Sequence, residues 1–479
     1  MKTALAAAAV AGIVAGLAGP ALGARIRGTP RADRIDAVNG RRDVVSCGRG
    51  RDLAVVDEFD IVKPDCELVT RRISTDPLRS AGSQHATEVE PDTFAHGSTI
   101  VSTFQVGRFV DGAAATVGFA TSRNAGRTWT HGLLPALTFV SSPPGPAARS
   151  TDPSVTFDAA HRVWLIVTLD FFQTATSIEV SRSSDGLHWS APVTVTIRPG
   201  SVTLDKEWIA CAASGGACYV SYSDIPALRL ATQTSRDGGL TWSAPTGSAD
   251  GAGRRGIEGA YAPGAQPLVQ PSGTVVIPFY EGPELDAVRS TDGGTTFSTE
   301  TPIATAPYAD VRGLRSTPMP SAEIDSAGTV YLVWSTCRFR TTCDRDDLAL
   351  SHSFDGVAWS TPTRIPLAFG RDYVIPGLAV DPHRVGRLGL VYYAVTPFLT
   401  LNVGYVSSKN GGRTWSRPVR LNAKPMPFAS IARAGGRMVG DYTSASFVGT
   451  SVVPVFALAS APRAGLYREA MFATRLPRP

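Results

Sequence analysis

Short runs of apolar and β-branched residues, separated by turn residues, make up most of the chain. Ser321–Asp325 is followed by Thr329–Ser335, and Ile375–Val380 precedes Arg387–Val395. Runs of this length bounded by Gly, Pro, Asp and Asn are typical of β-strands. Few long stretches follow the 3.6-residue period of an amphipathic helix. The pattern therefore predicts an all-β protein.

A turn sequence ending in an aromatic residue recurs between these runs. Near-complete copies lie at Ser122–Trp129, Ser235–Trp242, Ser290–Phe297 and Ser408–Trp415, with looser copies at 183–189 and 353–359. Asp or Asn can cap such a turn with its side chain, while Gly takes the positive φ angle. The aromatic residue can then pack beneath the turn. Each copy is therefore expected to stabilise a hairpin rather than to form a site.

This turn resembles the Asp box (Ser-x-Asp-x-Gly-x-Thr-Trp) of sialidases and other bacterial neuraminidase-repeat proteins. The resemblance covers about residues 85–479. It implies a β-propeller of exported bacterial type, in which each blade holds four antiparallel strands. The box then lies in the turn between the third and fourth strands of a blade.

The innermost strands of these blades outnumber the boxes. They begin near Pro91, Asp152, Lys206, Gln266, Ser321, Ile375 and Tyr442. We therefore predict a seven-bladed β-propeller, with six blades as the alternative. The last unit has three strands, and a fourth is needed to cover the sheet edges. We expect an N-terminal strand, from Asp52–Val56 or Glu67–Ile73, to close the ring.

The N-terminus has the features of an export signal. Lys2 precedes an apolar segment over 4–17, and small residues near 21–24 suit cleavage. An uncleaved membrane anchor is the alternative. We expect a signal peptide over 1–24, a flexible Arg-rich lead-in over 25–51 and a single propeller domain over 52–479. The mature chain is then secreted to the cell envelope or beyond, monomeric, and not stably inserted in a membrane.

The six cysteines fall into three close pairs. Local pairing predicts the disulfides Cys47–Cys66, Cys211–Cys218 and Cys337–Cys343, and export favours oxidation. No pair has the spacing of a zinc site, so we expect no metal or cofactor. Ca²⁺ bound by Asp344, Asp346 and Asp347 is a lesser alternative. The net charge of +5 is too small for this length to indicate a nucleic-acid surface.

Charged residues gather where the predicted inner strands begin, on the face opposite the boxes. Loops on a rigid scaffold commonly carry function. The candidate substrate-binding residues are Glu90, Asp152, Asp205, Arg315, Arg338, Arg340, Arg371 and Arg437. The candidate catalytic residues are Glu207, Asp372, Tyr373, Asp441 and Tyr442. The fourth blade adds Glu258 and Tyr261 at the same position.

Arginines of this kind can clamp a carboxylate or phosphate by paired hydrogen bonds. Sialidases, which the chain resembles, use a tyrosine nucleophile. The family's Phe/Tyr-Arg-Ile-Pro motif is absent, and Arg71-Arg72-Ile73-Ser74 is the nearest string. The resemblance implies recognition of an extracellular glycan or another acidic ligand, with exo-α-sialidase-like hydrolysis as its catalytic form. The alternatives are a salt-bridged plug between blades and a non-catalytic scaffold for protein–protein interaction.

Overall fold

The computed structural model describes residues 21–213, 215–248 and 264–479. Most of the predicted signal peptide, together with Glu258 and Tyr261, lies outside the described residues. Within them, no helix is long and apolar enough to cross a membrane. One 3-10 turn, Phe428–Ser430, is the helical element of the described part, and strands make up the regular structure elsewhere. The prediction of an all-β chain is confirmed.

The first six strands form a parallel coil. β1, β3 and β5 pair in parallel on one side, and β2, β4 and β6 pair in parallel on the other. Their bounds are β1 Leu22–Arg27, β2 Arg34–Asp36, β3 Arg42–Ser46, β4 Leu53–Val56, β5 Ile61–Val62 and β6 Leu68–Arg72. Apolar side chains such as Val45, Ala54 and Val56 are buried between the two sheets, beside the Cys47–Cys66 disulfide.

This coil differs from the flexible lead-in that the sequence predicts over 25–51. Buried aspartates hold its turns: Asp52 accepts a hydrogen bond from the Asp33 backbone N–H at 2.7 Å, one turn earlier. Asp60 accepts one from the Asp43 backbone N–H at 2.9 Å. Burial raises the pKa of Asp60 to about 6. The composition of this segment suggested a charged linker. In the structure its apolar residues form a small core, and its aspartates cap successive turns.

Antiparallel units follow, with strands in chain order within each unit. The first two units are joined into one eight-stranded sheet by the pairing of Ala114 on β9 with Ser150 on β11, and each unit is called a sheet below. The first is β7 Glu88–His96, β8 Thr99–Arg108, β9 Ala114–Ser122 and β10 Thr130–Leu133; the second is β11 Arg149–Asp158, β12 Val163–Phe171, β13 Ala175–Ser183 and β14 Val193–Pro199. The third is β15 Leu204–Cys211, β16 Cys218–Asp224 and β17 Arg229–Ser235; the fourth is β18 Leu268–Val269, β19 Val275–Glu281, β20 Glu284–Ser290 and β21 Thr301–Thr305.

The remaining sheets repeat this order. The fifth is β22 Ser321–Ile324, β23 Val330–Thr336, β24 Asp347–Ser353 and β25 Thr363–Arg364; the sixth is β26 Asp372–Val380, β27 Leu388–Thr396, β28 Thr400–Ser408 and β29 Val419–Arg420, with β30 Met426–Pro427 beside β28. The seventh is β31 Ser444–Val448, β32 Ser451–Ala459 and β33 Glu469–Thr474, with β34 Leu476–Pro477 beside β32.

The seventh sheet takes its outer strand from the N-terminal coil. β6 lies antiparallel to β33, with Arg72 opposite Phe472. The Thr70 hydroxyl lies 2.7 Å from that of Thr474 and donates to the Leu421 carbonyl at 2.8 Å. Of the two segments that the sequence offered, 67–73 therefore occupies this position. The other, 52–56, contains β4 and pairs with β6 inside the coil.

The first strands of successive sheets pack side by side, in the order β7, β11, β15, β18, β22, β26 and β31, and β31 packs against β7. Hydrogen bonds also connect neighbouring first strands: a polar side chain on one strand accepts from a backbone N–H group on the next. The acceptor side chain is named first in each pair: Asp92 and Val155 at 2.8 Å, Ser154 and Ile209 at 3.0 Å, Ser321 and Leu378 at 3.0 Å, and Ser444 and Thr93 at 3.2 Å.

The repeated turns join outer strands, as Ser122–Trp129 does between β9 and β10. In the copy around Asp237, that carboxylate accepts the backbone N–H groups of Leu240 and Thr241, each at 3.0 Å. Gly238 and Gly239 take φ angles of 73° and 80°. Side-chain capping and left-handed glycines thus build the turn, in keeping with its sequence. The cysteines pair locally, as Cys47–Cys66, Cys211–Cys218 and Cys337–Cys343.

Candidate functional site

Strained bulges mark the beginnings of several first strands. Glu90, Asp152, Lys206 and Ile375 have φ angles of 62°, 46°, 57° and 52°. The strand pairing shifts register around each of them. A bulge redirects a side chain, and a non-glycine residue in the left-handed region costs about 1–3 kcal/mol. Three of the four strained positions carry ionisable side chains, and those three side chains belong to one cluster.

Lys206 joins this cluster from the third sheet to the second and to the start of the seventh. Its Nζ lies 2.6 Å from Oδ2 of Asp441 and 3.2 Å from Oδ2 of Asp152. Asp441 also accepts from Arg315, whose Nε lies 2.6 Å from Oδ1. The side chains of Lys206, Asp152 and Asp441 are at least nine-tenths buried, and that of Arg315 is partly exposed. We call Glu90, Asp152, Lys206, Arg315 and Asp441 the central network.

A second set of polar residues supports the central network from the first and second sheets. Oε1 of Glu90 accepts the Asp441 backbone N–H at 3.0 Å, and Oε2 accepts from the Gln105 amide. Arg108, buried at 3% exposure, donates to the Gln105 amide oxygen. The Thr151 hydroxyl donates to Asp152 at 2.7 Å and accepts from Gln105 at 2.7 Å.

The cations decide which carboxylates of the network stay ionised. Burial acts to raise the pKa of Asp441, but Arg315 and Lys206 outweigh it and hold that pKa well below its usual range. Burial opposes the charge on Lys206 as well, yet Asp152 and Asp441 raise its pKa above normal. No Lys or Arg among the described residues forms a salt bridge with Glu90, and burial followed by repulsion from Asp152 raises its pKa to about 8. These shifts favour the protonated form of Glu90 and the ionised form of Asp441 at neutral pH.

Glu207 and Tyr442 lie beside this network and differ in their hydrogen bonding. Glu207 is buried, and neither of its carboxylate oxygens has a partner among the described residues. Burial raises its pKa well above normal, which favours its neutral form. The Tyr442 hydroxyl donates to the Pro153 carbonyl at 2.8 Å, and burial raises its pKa far above normal. A tyrosine so placed is not activated as a nucleophile.

Trp208 and Asp205 are the half-exposed neighbours of these groups. The Trp208 ring packs edge-on against Tyr442, with 5.0 Å between ring centroids. Burial raises the pKa of Asp205 to about 6, against the effect of Lys206. An aromatic surface beside charged groups is typical of a ligand site on a rigid scaffold.

The other candidate residues lie apart from the central network. Tyr373 donates to the Ala368 carbonyl at 2.8 Å and packs within an apolar cluster, while Asp372 accepts the Asp346 backbone N–H at 2.9 Å. Three arginines are elsewhere: Arg338 is exposed, Arg340 pairs with Asp347, and Arg371 is exposed. Arg437 is near Arg315 through its backbone, but its side chain bonds the Ile431 carbonyl at 2.7 Å. The predicted convergence of arginines is therefore limited to Arg315.

Sequence reasoning passed over Arg108, Gln105 and Thr151. Arg108 and Gln105 lie on the second strand of the first sheet, among residues that read as ordinary core. The available signal was Arg108, the one charged residue of β8, at the end of a strand whose other residues are uncharged. Buried charges need partners, so its presence indicated a carboxylate nearby.

The described residues offer little for a metal. Asp347 pairs with Arg340 and Arg364, and Asp346 accepts the Ala309 backbone N–H at 2.9 Å, so the predicted Ca²⁺ alternative has few free oxygens. The carboxylates of Glu281, Asp286 and Glu300 lie within 4.8 Å of one another. Each of the three also has an interaction with another residue of the chain.

No protein-family model and no curated protein matches this chain. Among solved structures, an ulvan lyase of polysaccharide lyase family 25 is 9% identical, with 84% of this chain and 96% of that chain covered and a TM-score of 0.49. The family 93 α-L-arabinofuranosidase of Fusarium graminearum is 12% identical, with 85% of this chain and 96% of that chain covered and a TM-score of 0.47. A Hadza microbial sialidase is 16% identical, with 82% of this chain and 67% of that chain covered and a TM-score of 0.42. At these values the likeness assigns no activity or substrate to this chain.

Proposed function

We propose that this chain is an exported glycan-binding β-propeller whose ligand site lies where the first strands begin. The convergence of Glu90, Asp152 and Lys206 from three strained bulges supports this site, because such strain collects at functional positions. Trp208 is the half-exposed aromatic residue beside them. It can pack against a sugar ring, while Asp205, Lys206 and Arg315 supply hydrogen bonds to hydroxyl or carboxylate groups.

The proposal includes a ring of seven blades in one monomer. Support comes from the seven first strands, which contact one another in sequence, and from the contact of β31 with β7. The pairing of β6 with β33 supports closure by an N-terminal strand. The repeated turns then serve as Asp boxes, on the face away from the ligand.

Export through an N-terminal signal peptide is part of the proposal, and the three disulfides support an oxidising destination. Cleavage after residue 24 would leave Arg25–Arg27 of β1 opposite Val44–Ser46 of β3. Mass spectrometry of the mature N-terminus tests this. A full-length secreted chain would exclude cleavage.

Glycan-array binding of the secreted chain tests the ligand proposal. We expect selective binding that is lost in Trp208→Ala and retained in Phe398→Ala. Phe398 is an exposed aromatic residue, 86% accessible, in the turn between β27 and β28. Binding that survives Trp208→Ala would reject this site. Comparison of sialylated, uronic-acid-containing and neutral glycans on the array shows whether the ligand is acidic. Absence of all glycan binding favours the scaffold for protein partners.

Hydrolysis is the second candidate function. The observation in its favour is that the pKa values of Asp152 and Glu207 shift in opposite directions: burial opposes ionisation of both, but Lys206 lowers the pKa of Asp152. Glycoside hydrolases use such pairs of an acid and an ionised carboxylate. Fluorogenic sialosides and arabinofuranosides test it. Turnover that disappears in both Asp152→Asn and Glu207→Gln would establish catalysis, whereas no turnover by the wild type would exclude it for these substrates.

A further inference from the structure

An open cleft lies between the first and second sheets, on the face that carries the repeated turns. Its volume is about 490 Å³, within the usual range of small-ligand pockets. His96, Phe157 and Trp164 form one part of its lining, and Arg123, Arg162 and Asp185 form another. The end of β7, the end of β11 and the start of β12 bring these residues together. The proposed glycan site lies on the opposite face, so this cleft is a separate feature.

The aromatic residues of the cleft form a continuous wall. The His96 ring stacks on Phe157, with 4.0 Å between centroids and 26° between planes. Phe157 in turn lies 4.8 Å from Trp164. His96 is exposed and Phe157 is half-buried, whereas Trp164 is buried behind them, so the part of the wall that reaches solvent is the surface of His96 and Phe157.

The two arginines differ in what they already bind. Arg123 is 3.3 Å from the Asp185 carboxylate and donates to the Asp185 carbonyl at 3.2 Å. The exposed Arg162 donates no side-chain hydrogen bond to any residue in the described part of the chain, and its φ is 54°. A strained residue with a free guanidinium group beside an aromatic wall is an arrangement suited to a ligand.

The third and fourth sheets provide an internal comparison. Arg236 donates to the Gly293 carbonyl at 3.1 Å, as Arg123 does to Asp185 in the next repeated turn. The second residue of β12 is Trp164, but the second residue of β19 is Val276. The same turn-to-turn contact therefore occurs beside Val276 in place of Trp164. Arg236 is the counterpart of Arg123, and it serves as the control for loss of an exposed arginine from the same face.

We propose that this cleft binds a saccharide unit that carries a carboxylate. The guanidinium group of Arg162 pairs with the carboxylate through two parallel hydrogen bonds, a geometry that favours planar anions. The aromatic wall packs against the C–H face of the sugar ring. The proposal goes beyond the site at the strand beginnings and does not depend on it.

Isothermal titration of the full secreted chain with methyl glucuronoside, methyl sialoside and methyl glucoside tests this inference. We expect at least one of the acidic sugars to bind, the neutral glucoside to bind more weakly, and Arg162→Gln to reduce affinity by about tenfold or more. Arg236→Gln should leave affinity unchanged, and unfolding curves check that both variants fold.

Three results would overturn it: no binding of either acid, equal binding of acidic and neutral sugars, or full affinity in Arg162→Gln. Trp208→Ala separates the two sites. Acid binding that persists in Trp208→Ala supports the cleft even if the first proposal fails, whereas acid binding lost in that variant belongs to the strand-beginning site and rejects this inference.

Discussion

The ammonium nitrogen of Lys206 lies 2.6 Å from Oδ2 of Asp441, a residue 235 positions later in the chain. The contact joins the first strand of the third sheet to the residues that precede β31. Asp152, on the second sheet, shares the same ammonium group at 3.2 Å. One cation thus links three distant parts of the chain at the centre of the fold.

Replacement of Lys206 by methionine should therefore destabilise the protein strongly. The change leaves two buried carboxylates, Asp152 and Asp441, with less compensating charge, and loss of one partner of a buried pair costs about 3–5 kcal/mol. Urea unfolding at neutral pH measures the loss. Lys424→Met is the control, because Lys424 is 75% exposed in its pair with Asp36 and should change stability by about 0.5 kcal/mol or less. Wild-type stability in Lys206→Met would contradict the central network.

The buried carboxyl group of Glu469 should make the folded protein less stable as the pH rises. It is buried, one of its oxygens accepts the Ala432 backbone N–H, and burial raises its pKa to about 8. The folded chain keeps this proton over about pH 4.5–8 while the unfolded chain releases it, so the free energy of unfolding falls across that range. Asp441 has the opposite sign and acts only below about pH 4.

Glu469→Gln removes this titration and keeps an acceptor oxygen. The slope of unfolding free energy against pH, measured between pH 5 and 8, should become shallower by at most about 1.4 kcal/mol per pH unit. Glu58→Gln, at a partly exposed ion pair with Arg72, should keep the wild-type slope. Identical slopes in all three proteins would show that Glu469 does not hold the proton.

The repeated sheets were predictable from sequence because their signal is local. Asp237 and Gly238 sit in a turn whose hydrogen bonds join residues within five positions, and such chemistry shows in the sequence. The coil before β7 was not predicted, because its core residues alternate with Arg and Asp. Composition alone then resembles a linker, although Val45 and Ala54 are completely buried.

The candidate site was predictable in part for a similar reason. Glu90 and Asp152 stand out as charges at the beginnings of strands, but which of these residues meet depends on the bulges. The corresponding strained position in β26 is Ile375, which carries no charge, and Tyr373 lies two residues earlier in an apolar cluster. The pairing of Lys206 with Asp441 spans the chain and leaves no local pattern.

Removal of the Cys47–Cys66 disulfide should loosen the N-terminal coil selectively. The bond closes a sequence separation of 19 residues, for which chain entropy gives about 3 kcal/mol. In Cys47→Ala/Cys66→Ala, amide hydrogen exchange in β1–β5 should speed up by about a hundredfold if these strands open as a unit. Cys337→Ala/Cys343→Ala should leave exchange in the coil unchanged. Unchanged protection in the first variant would contradict an independent coil.

The contact between Ser444 and Thr93 tests closure of the ring. Ser444 Oγ accepts the Thr93 backbone N–H at 3.2 Å across 351 residues, and Ser154 accepts that of Ile209 at 3.0 Å across 55 residues. Alanine at either serine leaves a buried N–H without its acceptor, which costs about 1–3 kcal/mol. If β31 and β7 are held as firmly as β11 and β15, Ser444→Ala and Ser154→Ala should lower the free energy of unfolding by similar amounts.

Ser184→Ala is the control, because Ser184 is exposed, and it should change the free energy of unfolding by about 0.5 kcal/mol or less. A negligible effect of Ser444→Ala beside a clear effect of Ser154→Ala would mean that the seam between the last and first sheets is open in solution.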